Sequence, residues 1–364
     1  MTSSASPRRH IHVNAFHMNC VGHIHHGLWA HPQDRSTEYH TLKYWTDIAQ
    51  TLERGLFDGL FMADVIGYYD VYQQGVDVTL RQGIQLPVNN PWLLVSAMAA
   101  VTQHLGFGLT ATVGAHHPYT FARDVSTLDQ LTGGRVGWNI VTGYVDSGAR
   151  GLGLDGLGAH DRRYDQADDF LTLAYKLWEG SWHDDAVRAD KAQRLYVQPD
   201  KVQPIAHEGP YYRAHAIHMS APSPQRTPVL FQAGTSARGM QFAGQHGEGI
   251  FIGASSPEAA RETSRKLRAA AVAAGRRADD VKIYVGLAGA IAYPITTPAP
   301  AGATRRRPGL RCRQWRSSRH ALALQTLSCF FLRRGLGTVV GRAAVLAGSD
   351  KDGAAARSRA TAIA

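Results

Sequence analysis

The chain has 364 residues and 44% of them are apolar, enough for one large α/β domain or two ordinary ones. No window reaches about 18 consecutive apolar residues, and no apolar segment follows the arginines near the N-terminus, so neither a membrane span nor a secretory signal is predicted. Cys20, Cys312 and Cys329 lack CxxC spacing, which argues against a disulfide framework or zinc site and indicates a reducing, cytoplasmic compartment.

The net charge of +10 is unevenly distributed. Residues 294–364 hold 13 basic and 2 acidic side chains, whereas the first 293 residues hold 26 basic and 27 acidic ones. A basic protein is a candidate for nucleic-acid binding, but here the basic excess belongs to one terminal segment. The near-neutral remainder does not predict a nucleic-acid partner.

Short apolar runs alternate with amphipathic segments along the first 293 residues. Strands are predicted at 12–16, 57–64, 106–114, 135–142, 228–234, 247–254 and 281–293. Helices are predicted at 41–54, 91–104, 119–131, 164–179, 236–246 and 257–274, with long irregular segments at 65–90 and 181–225. This alternation predicts a parallel α/β fold, namely a TIM (β/α)8-type barrel in which the last βα unit is not found. A doubly wound open sheet is the alternative, although no GxGxxG follows the first strand.

Residues 294–364 do not continue this pattern. They are rich in Arg, Ala, Gly and Ser, and only 321–332 is apolar enough to pack. We therefore predict a barrel over 1–293 and an atypical basic tail over 294–364. The tail is interpreted either as a disordered extension or as the product of a frameshift near residue 294 in a GC-rich gene.

The segment at 127–164 is the most informative about function. Glycines at 133 and 134 end a helix, a buried strand follows, and that strand leads into a long Gly-rich loop. Parallel α/β proteins place their chemistry where such strands end.

Four motifs carry a family resemblance: FDGLFMAD, TGGRVGWNIVT, HDRRYDQADDFL and LFQAGTSARG. Together they resemble the bacterial luciferase-like flavin monooxygenases, in the branch of nitrilotriacetate and dibenzothiophene-sulfone monooxygenases. The resemblance covers about residues 12–293. It implies a TIM barrel that binds reduced FMN (FMNH2) at the carboxyl-terminal mouth of its strands.

The resemblance also implies roles for individual residues. Asp64 would contact the flavin, with Thr110, Thr112 and Asn139 beside the ring. The phosphate would be held by His160, Tyr164, Thr235 and Ser236, because small hydroxyls and amides at a helix N-terminus suit an anion. Each position also has a structural interpretation: Asp64 and Ser236 as caps, the threonines as strand formers, Asn139 as a buried amide, and His160 and Tyr164 as helix-start residues.

Eight of the 18 histidines lie between residues 10 and 40. Without HExxH or a helix to fix a ligand pair, no metal site is predicted there. In the family this loop lines the substrate pocket, so His17 and His25 are predicted as catalytic residues that assist proton transfer.

The predicted function is that of a two-component, FMNH2-dependent monooxygenase. A separate NAD(P)H:flavin reductase would supply the reduced flavin, and one oxygen atom from O2 would enter a small aromatic, sulfur- or nitrogen-containing substrate. Few Arg or Lys side chains in the pocket loops favour a neutral substrate over a polycarboxylate. A homo-oligomer is expected. The alternatives are a deazaflavin-dependent oxidoreductase and a non-catalytic truncated product.

Overall fold

The computed structural model describes residues 11–24, 26–292 and 324–332, and side-chain environments within 11–24 and 26–287. All seven predicted strands are present, and wherever two of them pair with each other they run parallel. They are β1 (His12–Met18), β2 (Gly59–Ala63), β3 (Gly106–Thr112), β4 (Val136–Val141), β9 (Val229–Gln232), β10 (Gly249–Ile252) and β11 (Lys282–Ala292). The remaining strands are β5 (Val187–Asp190), β6 (Leu195–Val197), β7 (Ile205–Glu208), β8 (Arg213–Ala216) and β12 (Leu324–Leu332).

Strand β12 completes a closed barrel of order β1-β12-β11-β10-β9-β4-β3-β2. It pairs antiparallel with both β1 and β11, with Leu332 opposite His12 and Ser328 opposite Phe16. The predicted TIM-type barrel is therefore confirmed, but its eighth strand runs against the other seven. The boundary at residue 293 and the interpretation of the tail stay predictions, because most of 294–364 lies outside the described residues.

The helices cover the outside of the barrel. They are α1 (Leu42–Arg54), α2 (Asp77–Gln82), α3 (Val95–Ala100), α4 (Pro118–Thr132), α5 (Asp146–Gly151), α6 (His160–Gly180), α7 (Ala237–His246) and α8 (Pro257–Ala273). The Thr41 side chain accepts the Tyr44 amide at the start of α1, and Gly133 ends α4 with φ at +66°. Among the described residues, none of these helices combines the length and apolar character that crossing a membrane requires.

Three local predictions differ from the structure. The helix predicted to reach His104 ends at Ala100, because the Glu53 carboxylate of α1 accepts the amides of residues 103, 104 and 105 in a loop. The segment at 65–90 contains the short helix α2. The segment at 181–225 forms two hairpins, β5–β6 and β7–β8.

The barrel interior is packed by aromatic rings. Phe61, Phe231, Phe251 and Tyr284 surround a space of only about 10 Å³. Glycines make room for these rings: a Cβ at Gly137 would lie 2.6 Å from the Phe231 ring. With the centre filled, ligand space is left at the carboxyl-terminal ends of the strands.

Candidate active site

A cavity of about 390 Å³ lies beyond the carboxyl ends of β2 and β3. Three predicted flavin contacts, Asp64, Thr110 and Thr112, line it together. Trp92 and Val88 add apolar surface from the segment that precedes α3. The strand ends thus bring these three side chains to one cavity.

Thr110 and Asn139 form a buried pair across neighbouring strands β3 and β4. The Asn139 Nδ2 group donates to the Thr110 hydroxyl at 2.9 Å, and the Trp92 indole donates to the Thr110 carbonyl at 2.8 Å. The Asn139 Oδ1 atom is buried and has no protein partner among the described residues. A buried amide oxygen without a donor is costly, so this atom fits a ligand that donates a hydrogen bond.

Asp64 follows directly after β2, and its side chain lies in a weakly polar environment. Burial raises the pKa of its carboxyl group to about 7, and a hydrogen bond from the Val65 amide opposes that rise only in part. Near neutral pH this side chain therefore carries a proton part of the time. It is then able to donate or accept a hydrogen bond at the cavity wall.

Asp64 gives a prediction for the pH dependence of stability. Its folded-state pKa lies above the unfolded value of 3.8, so the folded chain holds a proton that the unfolded chain releases between about pH 4 and pH 7. Stability falls as pH rises through that window. We expect Asp64→Asn to remove this penalty, with little gain near pH 4 and a gain on the order of 2 kcal/mol at pH 8.

Denaturant unfolding of wild type and Asp64→Asn from pH 4 to pH 8 measures this effect. Asp155→Asn, at an exposed loop position, is the matched control. Equal gains for Asp64→Asn at pH 4 and pH 8 would contradict the assignment.

The predicted phosphate ligands form a second cluster where α6 and α7 begin. The His160 Nε2 atom lies 3.4 Å from the Ser236 hydroxyl, and the His160 and Tyr164 ring centroids are 5.2 Å apart. Ser236 caps α7 by accepting the Gly239 amide at 3.0 Å. Thr235 lies beside it on the exposed loop between β9 and α7.

The backbone around this cluster forms a cradle into which the Tyr164 hydroxyl fits. A Cβ at Gly234 would lie 2.4 Å from the Tyr164 hydroxyl oxygen, and a Cβ at Gly239 would lie 2.9 Å from it. The Tyr164 hydroxyl is 3.4 Å from the side-chain amide nitrogen of Gln232. The Oε1 atom of the same amide is buried without a donor among the described residues. Hydroxyls, an imidazole and the free N-terminus of a ten-residue helix suit a phosphate group.

Arg238 is near this cluster in sequence, and its Nη2 group is paired with two carboxylates of α6, whereas its buried Nη1 group has no partner among the described residues. Its guanidinium donates to Asp165 at 3.0 Å and to Asp168, and its carbon lies 5.6 Å from the Tyr164 ring centroid. The geometry therefore assigns Arg238 to holding α6 and α7 together beneath Tyr164.

His17, one of the two predicted catalytic histidines, is not brought to the cavity. Side chains of a strand alternate between its faces, and His17 lies on the outer face of β1. Its ring contacts the Tyr44 hydroxyl at 3.1 Å and packs edge-on against Trp45 of α1. His25 lies outside the described residues.

Sequence reasoning missed Trp92 and Gln232. Gln232 is the single polar residue of the run VLFQ and ends strand β9, a signal that sequence reasoning had available. Trp92 carries no comparable signal, because its contact with Thr110 spans 18 residues. No group of three or more His, Cys, Asp and Glu residues in the described part of the chain is arranged to hold a metal ion.

The fold and the site define an α/β barrel with a ligand cavity at the carboxyl-terminal face of its strands. Residues 23–301 match the family model described as luciferase-like monooxygenase. The chain belongs to the luciferase-like monooxygenase family, which confirms the family predicted from the motifs.

Relatives and solved structures agree with this assignment. Over 76% of this chain, 50% of residues are identical to a dimethyl-sulfide monooxygenase of Hyphomicrobium sulfonivorans. Over 72% of this chain, 42% are identical to a dibenzothiophene-sulfone monooxygenase of Rhodococcus erythropolis, a member of the predicted branch. The crystal structure of a riboflavin lyase with modified FMN and riboflavin matches 75% of this chain and 61% of its own, at 42% identity and a TM-score of 0.72.

The chain spans only part of the relatives it matches. It covers 58% of the length of the dimethyl-sulfide monooxygenase and 58% of the dibenzothiophene-sulfone monooxygenase.

Proposed function

We propose that this protein is a cytoplasmic FMNH2-dependent monooxygenase that inserts one oxygen atom from O2 into a small organic substrate. The observation that carries the proposal is the pair of clusters on one barrel face: a ring-sized cavity with Asp64 and Thr110, and a phosphate cradle at Tyr164 and Ser236. Strand β4 lies between β3 and β9, so the two clusters border one continuous edge of the sheet.

The residues of both clusters, the cavity at Asp64 and the cradle at Tyr164, fit FMN. Asn139 Oδ1 and Gln232 Oε1 are buried oxygens that lack donors among the described residues, and the glycines at 234 and 239 let the Tyr164 hydroxyl approach the loop before α7 closely. When bound, reduced FMN supplies the two electrons and activates O2, so that one oxygen atom reaches the substrate and the other leaves as water.

The chain's own residues have defined tasks in this scheme. Tyr164, His160 and Ser236 orient the cofactor through its phosphate. Thr110 and Asn139 bind the polar edge of the flavin ring. Asp64 exchanges a proton with the polar ligand atom that lies beside its carboxyl group. Trp92 and the valines of the cavity keep water away from the reacting atoms.

Both relatives are named as monooxygenases, which supports the proposed oxygen insertion, and the substrates in their names differ from each other. We infer that reduced flavin comes from a separate NAD(P)H:flavin reductase and that the protein is a homo-oligomer. No observation favours a deazaflavin over FMN.

A turnover experiment tests the proposed monooxygenase activity. Purified protein is supplied with FMN, NADH, a flavin reductase and O2, together with an organic sulfide, and the sulfoxide is measured by mass spectrometry. We expect 18O from 18O2 in the product. Sulfoxide that forms equally well without the protein, or that carries no label from 18O2, would contradict the proposal.

A further inference from the structure

The guanidinium group of Arg238 lies against the face of the Tyr164 ring. Its carbon atom is 5.6 Å from the ring centroid, and the Arg238 side chain is only 15% exposed. Arg238 belongs to the first turn of α7, two residues after the N-cap Ser236. A partly buried cation therefore stands next to both side chains that are proposed to hold the phosphate.

Two carboxylates of α6 face the same guanidinium. The Nη2 group of Arg238 donates to Asp165 at 3.0 Å and to Asp168, whose other oxygen lies 2.9 Å from His246 Nε2. Burial opposes the ionisation of Asp168, but hydrogen bonds from His246 and Arg238 hold its pKa below the ordinary value. Two acidic side chains thus follow Tyr164 on α6 within four residues.

These carboxylates are unfavourable neighbours for a phosphate at Tyr164. Like charges repel, and salt screens partly buried charges much less than exposed ones. The repulsion is offset only while a cation stays between the carboxylates and the phosphate.

Two arginines act on the Tyr164 hydroxyl, and they differ in their partners. Burial raises the pKa of this hydroxyl, and the charges of Arg163 and Arg238 oppose that rise. The Arg163 guanidinium donates to the backbone carbonyls of residues 142 and 143, which are neutral. Arg238 pairs with the two carboxylates, so the balance of charge beside Tyr164 depends on Arg238.

We propose that Arg238 is a positioning residue for the cofactor phosphate, which supports the Tyr164 ring and offsets the negative charge of Asp165 and Asp168. This inference rests on the proposed function and deepens it, because it states what allows a phosphate to bind beside two carboxylates. A residue that only joined α6 to α7 would affect a flavin with the phosphate and a flavin without it equally.

Two variants that shift the local charge in opposite directions test the inference. Arg238→Gln removes the cation, and Asp168→Asn removes one carboxylate. Titrations with FMN and with riboflavin, followed by flavin fluorescence, give the ratio of the two Kd values for each protein. We expect Arg238→Gln to lower the preference for FMN at least about fivefold, and Asp168→Asn to raise it at least about twofold.

Three further variants separate charge from structure. The double variant Arg238→Gln/Asp168→Asn is expected to return to within about twofold of the wild-type preference, because the two charge changes offset each other. Arg238→Lys keeps the charge without the planar fork, so its preference should lie closer to wild type than that of Arg238→Gln. Arg265→Gln removes the same charge from an exposed pair with Glu262 on α8 and should leave the preference unchanged.

An unchanged preference in Arg238→Gln, or equal losses of FMN and riboflavin affinity, would overturn the inference. If Arg238→Gln does not fold, Asp168→Asn decides, because a preference that is unchanged or lowered in that variant overturns it as well. Wild-type protein that binds FMN and riboflavin equally would contradict the proposed phosphate site itself. A wild-type preference that survives Arg238→Gln contradicts this inference alone.

Discussion

Gly148→Ala is expected to lower the free energy of unfolding by about 3 kcal/mol, because a Cβ has no space there. It would lie 2.0 Å from the Ile66 carbonyl oxygen and 2.7 Å from its carbon, which are backbone atoms. A backbone contact does not yield to a rotamer change. Helix α5 and the loop after β2 would have to separate.

This contact also builds the cavity wall. The Ser147 hydroxyl donates to the Tyr68 carbonyl at 2.6 Å and accepts the Tyr68 amide at 2.8 Å, so α5 and the loop are joined directly beside Gly148. Ile66 and Gly67 of this loop line the cavity. We therefore expect Gly148→Ala to weaken ligand binding as well as stability.

Gly151→Ala is the matched control for this prediction. It lies in the same helix, and a Cβ there would meet no described atom within 4 Å. It is expected to be neutral or slightly stabilising, since Ala favours a helix over Gly by up to about 1 kcal/mol. Chemical denaturation of both variants measures the difference, and similar free energies of unfolding would contradict the steric argument.

Tyr164→Phe is expected to weaken FMN binding by about tenfold to a hundredfold. A hydrogen bond to a charged group contributes roughly 1.5–3 kcal/mol, which corresponds to that range of Kd. Burial raises the pKa of the Tyr164 hydroxyl, which keeps it protonated and able to donate to a phosphate. The side chain is 7% exposed, so removing one oxygen leaves its packing in place.

Tyr175→Phe is a control on the same helix. It removes the same atom from α6, where the hydroxyl contacts the His246 imidazole at 3.1 Å, away from Ser236. FMN titrations followed by flavin fluorescence should show a higher Kd for Tyr164→Phe and an unchanged Kd for Tyr175→Phe. Equal Kd values for wild type and Tyr164→Phe would remove Tyr164 from the proposed phosphate site.

The strands could be predicted from the sequence because their side chains are buried on both faces. In β3 and β4 nearly every residue is buried, which leaves an apolar run that is easily seen. The hairpin strands have no such run: Val187–Asp190 has three exposed residues out of four. Their pairing depends on partners across the hairpin, which composition does not reveal.

One rule proposes much of the candidate site, namely that polar residues near the carboxyl end of an apolar strand meet a ligand. Asp64 directly follows β2, Asn139 lies two residues before the end of β4, and Ser236 lies beyond β9 where α7 begins. His17 shows where the rule stops: alternation assigns His17 and Phe16 to opposite faces, but the sequence does not say which face points inward. Contacts that span long stretches, such as Glu53 with the amides at 103–105, leave no local signal.

Strand β12 marks the point at which the sequence pattern and the structure diverge most. The alternation of strands and helices ends after seven strands and predicts no eighth unit, whereas the barrel is closed by an antiparallel strand from the basic segment. Backbone pairing tolerates either direction, so an apolar segment of nine residues satisfies the open edges of β1 and β11.

The central claim is that this barrel holds FMN with its phosphate at Tyr164 and Ser236. The most direct test is an anaerobic titration of the purified protein with FMNH2 and, separately, with reduced riboflavin, which lacks the phosphate. We predict saturable binding of FMNH2 and an affinity for reduced riboflavin that is weaker by at least about tenfold. Equal affinities, or no saturable FMNH2 binding by the folded protein, would contradict the claim.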